Sequence, residues 1–525
     1  MTTSERPATE ATGTGGTGAA GPDTPHVVVV GGGIAGLAAA FFLRDEPVRV
    51  TVLEGSPRLG GKLSVSEVAG VAVDEGAEAL LTRRPEGTGL ISDVGLGDEL
   101  ETPGTTASAI WTRGEMRPLP RRQFMGVPAD LDDLARSGVL SPDGLARARH
   151  DLDLPPTERN GDTAVAAYVG ARFGPEVVDR LVDPLLGGVY AGRSENLSFE
   201  ATLGPLATAA RSHRSLAEAA GTLLPAPAPA TGSARASAPG STPPPPRPVF
   251  TTLAGGLGRL PAAVADASGA TIRTRATVRE LARTPAGWRL TVGPAVAPEE
   301  ILADAVILAL PARPASRLLG RVPGATAAVA GLSAIEYASM AIVTLATPRS
   351  GFPPASGPRS GYLVPAVDGR PVKAVTFSTV KWPHMLRPGG GLGGPAAAGE
   401  TGGSGATGEA VDIVRCSIGR TGEESLLQRD DAELASLAAA DLAEATGAGR
   451  IVASRVTRWG GALPQYAVGH LDRVAAIRGA VAAQPGLAIC GAALDGVGIP
   501  ACVATARDAV GQVAGFLRAR QRSGR

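Results

Sequence analysis

Residues 27–30 are four consecutive valines, and an uninterrupted apolar run of this kind predicts a strand buried on both faces of a parallel sheet. Three glycines interrupt the run, and the stretch from Ile34 is rich in alanine and reads as a helix. A second strand, 48–53, rich in β-branched residues, closes on Glu54, which completes a strand, turn, helix, strand unit. Much further along, Leu260 and Val264 mark an amphipathic helix. After it, 271–275, 278–281 and the alternating 288–292 read as strands, and 305–310 as an apolar strand stopped by Pro311. The theme returns near the end, where 487–493 predict a strand and turn and Cys502 to Arg518 a helix. The fold class expected is therefore α/β, with 271–310 supplying more of the same sheet and the whole assembled from discontinuous segments.

Polar stretches punctuate this pattern. Residues 1–25 are rich in glycine and threonine without an apolar core, which reads as a disordered tail and not as an export signal. Residues 225–248, rich in proline, and 388–409, rich in glycine and alanine, read as surface insertions.

Composition narrows the class. With 525 residues and 44% apolar positions the chain can bury two or three cores. Fifty basic residues balance fifty acidic ones, which points away from nucleic acid and from anionic membranes. Only Lys62, Lys373 and Lys381 are lysines, so the bases are nearly all arginine, the bias of a GC-rich genome, and arginine abundance alone proves no function. Cys416, Cys490 and Cys502 are scattered, as are the five histidines, so reduced thiols, a cytoplasmic setting and no metal site are expected. Three glycines in succession break any membrane span drawn from Val27, and no transmembrane segment is expected.

The glycine turn carries the chemistry. In Gly31-Gly32-Gly33-Ile34-Ala35-Gly36, Gly31 permits the tight turn, Gly33 admits a pyrophosphate, and Gly36 lets the helix pack against the strand. The phosphates then meet the positive end of the helix at Ile34 and Ala35. Glu54 stands where a carboxylate accepts the hydrogen bonds of a ribose. Directly after it, Arg58-Leu59-Gly60-Gly61-Lys62 adds a base and a second glycine pair, which resembles the extended fingerprint of the flavin amine oxidase superfamily; FAD is the cofactor this implies.

Further strings sharpen the resemblance. DEGAE at 74–78, LLTRR at 80–84, LVDPLLGGVYAG at 181–192, ALPQY at 462–466 and DGVGIP at 495–500 together resemble the FAD-dependent protoporphyrinogen and coproporphyrinogen oxidases of haem synthesis. The string at 181–192 discriminates most, because amine oxidases and carotenoid desaturases share the flavin segments but not this one. The resemblance implies a Rossmann-like FAD domain from 26–80, 249–334 and 465–525, a helical and substrate region at 81–224, and an α+β substrate-binding region at 335–464. It implies further flavin contacts at Val278, Gly491, Val497, Gly498 and Ile499. For substrate carboxylates it points to Arg83 and Arg84, through the planar fork of arginine, and for the cleft to Tyr190 and Tyr466. An adjacent arginine pair is equally compatible with a solvated face, and buried tyrosines are more often core. No catalytic acid or base is assigned, since a porphyrinogen's aromatisation supplies its own driving force.

The activity implied is oxidation of coproporphyrinogen III to coproporphyrin III by O2 with release of H2O2. Protoporphyrinogen IX is the alternative substrate, and an amine oxidase or desaturase the more distant one, disfavoured by only 3% aromatic residues. The partners implied are the porphyrinogen, O2 and the next enzyme of haem synthesis.

Overall fold

The computed structural model describes residues 24–157, 161–225, 248–351, 359–386 and 410–523. Apart from their end residues, the tail 1–25 and the insertions 225–248 and 388–409 lie outside these. At the centre is a parallel sheet of β1 (His26–Val30), β2 (Arg49–Leu53), β3 (Thr271–Arg273), β4 (Ala305–Leu308) and β5 (Leu487–Ile489), in the order β3-β2-β1-β4-β5. Val27 of β1 pairs in register with Val50 of β2 on one side and Ala305 of β4 on the other.

Both faces of this sheet are covered, which is why Val27–Val30, Ala305–Leu308 and Leu487–Ile489 are apolar throughout. Val27, Val29, Val50, Val52 and Ile307 lie under helices α1 (Ile34–Leu43), α2 (Leu260–Ser268) and α3 (Ile499–Ser523). Val28, Val30, Leu53 and Leu308 face an antiparallel sheet of Val278–Thr284, Gly287–Val292 and Glu299–Ala303, with Trp288 fully buried between the layers. Each valine so buried contributes roughly 1.5–3 kcal/mol relative to exposure.

This arrangement corrects one expectation. Residues 278–281 and 288–292 do not join the parallel sheet; they form the separate layer that covers it. The reason is legible in hindsight: Trp288, Leu290 and Val292 are buried while Arg289 is exposed, the alternation of a strand with one wet face. The C-terminal helix also exceeds its expected span of 502–518, because Pro500 sits in its first turn, where a missing N–H costs nothing.

A seven-stranded sheet forms a second layer system, in the order Ala453–Pro464, Tyr337–Pro348, Val411–Ile418, Val372–Phe377, Gly361–Leu363, Ser108–Thr112, Glu115–Pro118. Helix Asp431–Thr446, started by an Asp430–Glu433 capping box, covers one face at Val343, Val375 and Cys416. From the opposite face Ile413 packs on the hairpin Val65–Val68 and Val71–Asp74. Short helices between Leu131 and Thr222 share a third core around Phe173, Leu181, Leu186 and Phe199. In it the string 181–192 continues from a π-helical turn, Val178–Val182, into helix Asp183–Tyr190, stopped by Ala191 in the left-handed region at φ 51°. Among the described residues no helix is long and apolar enough to cross a membrane.

Candidate functional site

The chain leaves β1 through Gly31, whose φ of 113° suits glycine alone. A Cβ on Gly31 would overlap the carbonyl oxygen of Ala309, and one on Gly36 would overlap that of Gly31. Gly33 differs: a Cβ there meets nothing within 4 Å. Two glycines are thus demanded by the protein's own packing, while the third keeps clear a space at the N-terminus of α1. Gly33 is the N-cap of that helix and offers no side-chain cap, so the first-turn N–H groups at Ile34, Ala35 and Gly36 remain for an anion.

Glu54 ends β2 against this turn. One carboxylate oxygen accepts from Gly32 N–H and the other from Ser56 N–H, both at 2.7 Å. A carboxylate has about four acceptor positions, so capacity is left for a ribose. The second glycine pair lies alongside: Gly60 N–H donates to Gly32 C=O at 2.8 Å, and the ideal Cβ of Gly61 would stand 3.3 Å from the Cα of Gly33. Arg58, the base that opens the second loop, donates to the carbonyls of Leu59, Gly61 and Leu63 and so braces it. Lys62 is half-buried, its pKa lowered by that burial, and among the described residues no carboxylate pairs with it.

The C-terminal segment closes on the same place. Gly491, at φ 117°, donates its N–H to Thr505 Oγ1, and its ideal Cβ would stand 3.8 Å from that of Ala35. Val497 packs on the helical core, and Gly498 leads into buried Ile499 at the start of α3. Val278 lies just beyond Ala276, whose N–H donates to Glu54 C=O, and it also packs on the core beneath the parallel sheet.

The two arginines part company. Arg83 is exposed, its guanidinium carbon 5.8 Å from the Phe124 ring, and among the described residues no carboxylate pairs with it. Arg84 is the N-cap of helix Pro85–Asp93 and pairs with Glu86 at 3.0 Å. Tyr190 is 7% exposed, its ring 5.5 Å from Tyr466, and burial pushes its hydroxyl up to about 12. Tyr466 donates to Ala492 C=O at 2.6 Å and stacks on His470, which ties the helical core to the 491–498 loop.

The loop at 74–78, quoted for its pattern but assigned no contact, gathers more partners than any expected residue. Asp74 accepts from the N–H groups of Leu257 and Gly258, yet burial pushes its carboxyl up to about 6. Glu75 accepts from Ser64 and Arg455, and Trp459 donates to its carbonyl. A Cβ on Gly76 would overlap Lys62 C=O, while the Gly76 carbonyl accepts from Arg415. Glu78 accepts from Lys381 and from Arg415; burial alone would raise its pKa, but these two cations outweigh it and hold it at about 2. Those partners stand 303 and 337 residues away, so no local pattern announces them.

Two helix N-termini, two adjoining glycine loops and an acid at a strand end make a cradle for a dinucleotide at the carboxyl edge of a parallel sheet. Residues 34–514 match the family model described as flavin containing amine oxidoreductase. The chain belongs to this family. It is a flavin-dependent oxidoreductase, and its cofactor is FAD; the space left at Gly33 and the first-turn N–H groups fit that group. The chain is 36% identical to the coproporphyrinogen III oxidase of Mycobacterium bovis (strain ATCC BAA-935 / AF2122/97) over 495 residues, covering 92% of this chain and 96% of that one. It is 29% identical to the coproporphyrinogen III oxidase of Bacillus subtilis (strain 168) over 501 residues, covering 94% and 98%. A crystal structure of a candidate protoporphyrinogen oxidase from Exiguobacterium sp. 255-15 superposes with a TM-score of 0.77 at 27% identity, covering 94% of this chain and 99% of that one.

Proposed function

We propose that the protein oxidises coproporphyrinogen III to coproporphyrin III, with O2 as acceptor and H2O2 as by-product, in haem biosynthesis. The observation that carries this reading is the near end-to-end similarity to two coproporphyrinogen III oxidases, spanning both the flavin cradle and the helix at 183–190. FAD, when bound, would supply the hydride acceptor for the porphyrinogen and the route for its electrons to oxygen.

The chain's own contribution is placement. First-turn N–H groups of α1 hold the pyrophosphate, Glu54 holds the ribose, and the 491–499 segment with Val278 completes the cofactor's contacts. The 26–80, 249–334 and 465–525 segments act as the FAD domain, and 335–464 with 81–224 presents the substrate. Arg83 attracts a propionate at the cleft. No side chain is asked to act as a strong base. The reading places the enzyme in the cytoplasm, passing its porphyrin to the next enzyme of haem synthesis.

Protoporphyrinogen IX is the second reading, favoured by the Exiguobacterium structure. An aerobic assay with both porphyrinogens, following porphyrin fluorescence and peroxide, tests the proposal. Faster turnover of coproporphyrinogen III is expected. A preference for protoporphyrinogen IX would reverse the assignment while leaving the flavin chemistry intact.

A further inference from the structure

Two of the strings that carry the family resemblance, 181–192 and 462–466, meet around Tyr466 with the turn that leads into a third, 495–500. Gln465 Nε2 donates to Tyr190 C=O at 2.8 Å, which anchors this segment to the end of helix Asp183–Tyr190. The Tyr466 hydroxyl donates to Ala492 C=O at 2.6 Å. Further on, His470 Nε2 lies 2.8 Å from Leu494 C=O. The two rings stack, with centroids 3.9 Å apart and planes 13° from parallel. Tyr466 is 1% and His470 0% exposed, so the tyrosine hydroxyl serves this turn and not an open cleft. The histidine suits a fixed brace. A carbonyl only accepts, so Nε2 carries the proton, and Nδ1, buried without a partner, is bare. Burial lowers the pKa of the ring from its ordinary value, which keeps it neutral at pH 7.

The two carbonyls matter because each belongs to a peptide unit. Among the described residues no peptide bond is cis, and in a trans peptide the C=O and the N–H point in opposite directions. Holding Ala492 C=O toward Tyr466 therefore aims the Ala493 N–H the other way, and holding Leu494 C=O toward His470 does the same for Asp495. Ala493 is buried, and among the described residues its N–H has no hydrogen-bond acceptor. A buried donor in this state calls for an acceptor that enters the site. Place supports this. The turn begins at Gly491, whose ideal Cβ would stand 3.8 Å from that of Ala35, so the free donor is carried by a turn lying beside the first turn of α1.

We infer that Tyr466 and His470 are positioning residues for the cofactor, which turn the peptides after Ala492 and Leu494 so that the Ala493 N–H is presented to FAD. The inference rests on the proposed contact between the 491–499 segment and FAD, and it goes beyond that contact by naming the side chains that hold the segment in its binding shape.

The test measures FAD dissociation constants, the visible circular dichroism of the bound flavin, and amide hydrogen exchange of 491–499 with and without FAD, all on the full chain. Tyr466→Phe keeps the stacked ring and removes only the hydroxyl, and His470→Phe keeps a ring and removes the donor. Each is expected to weaken FAD by roughly threefold to tenfold, to alter the visible dichroism and to reduce the protection that FAD confers on 491–499. His470→Gln loses the stacked ring but returns an N–H donor near the Nε2 position, and it recovers most of the affinity and the parent dichroism, a rescue that packing alone does not give. Parent-like FAD affinity and dichroism in both phenylalanine variants overturn the inference, even where the variants unfold at a lower temperature. Exchange at 491–499 that FAD leaves unchanged in the parent sinks the contact reading and the inference together, whereas equal protection in the parent and both variants sinks the inference alone. If His470→Phe fails to fold, Tyr466→Phe, which removes one oxygen, decides the matter.

Discussion

Gly33→Val and Gly36→Ala should separate loss of cofactor from loss of fold. Gly33 stands at φ −75°, ψ 174°, a conformation open to any residue, and its ideal Cβ touches no protein atom within 4 Å. The flavin-free protein should therefore accept valine at a cost of about 1 kcal/mol, the usual penalty for an apolar residue at an N-cap where no packing is disturbed. FAD meets the new side chain instead. Pushing the pyrophosphate away from two first-turn N–H groups, each charge-assisted bond worth roughly 1.5–3 kcal/mol, should cost about 3 kcal/mol or more, a hundredfold or greater loss of affinity.

Gly36→Ala inverts this result. Its methyl would overlap the Gly31 carbonyl oxygen and come within 3.1 Å of Ala309 Cβ, so β1, α1 and the segment after β4 must spread apart. Alanine gains roughly 1 kcal/mol of helix propensity over glycine. Overpacking against backbone costs about 3 kcal/mol or more, and the net is destabilising. Thermal unfolding of the flavin-stripped proteins by circular dichroism, beside FAD titrations, reads both quantities. Parent-like FAD affinity in Gly33→Val, or equal destabilisation of the two stripped variants, would refute the division of labour drawn from the Cβ geometry.

Glu54→Ala should weaken FAD by roughly 1–3 kcal/mol in an equilibrium titration, since it removes a ribose acceptor and also frees the Gly32 N–H; unchanged affinity would exclude the ribose role. Arg83→Ala should raise the apparent KM for coproporphyrinogen III more than for protoporphyrinogen IX with kcat nearly unchanged, whereas Arg84→Ala, already paired with Glu86, should do less. Glu78 carries a pH signature: its folded pKa of about 2 lies below the reference 4.5, so the stability it lends is complete above pH 4.5 and is lost as pH falls toward 2. By linkage that loss is about 3 kcal/mol. Urea unfolding across this window should show a steeper acid decline in the parent than in Glu78→Gln, and superimposable declines would count against the ion-pair assignment.

The strand, glycine turn, helix and strand at the start of the fold could be read along the chain because they are local. Two valine-rich strand runs, the turn at Gly31 to Gly36 and the acid at Glu54 lie within a few dozen residues, and each residue type answers a constraint set by its near neighbours. Strand membership was harder. The runs of β1, β4 and β5 are apolar on both faces and announce a covered sheet, but 288–292 carries the alternation of an ordinary one-sided strand, and alternation does not say which sheet it covers.

The arginines show the same limit at the scale of single side chains. Arg83 and Arg84 are indistinguishable by type and position, and it takes the start of helix Pro85–Asp93 to turn one toward Glu86 and leave the other exposed beside Phe124. Arg58 matched the base of the second glycine motif, and three carbonyls of its own loop lie within its reach. The charge cluster at Glu78 was wholly out of view. By itself the sequence determined the opening strand, turn, helix, strand unit and which strings place the chain among the porphyrinogen oxidases. Only the tertiary structure decided that Lys381 and Arg415 converge on one carboxylate, because burying a charge requires a partner in space, and how two sheets meet is the summed outcome of packing along the whole chain.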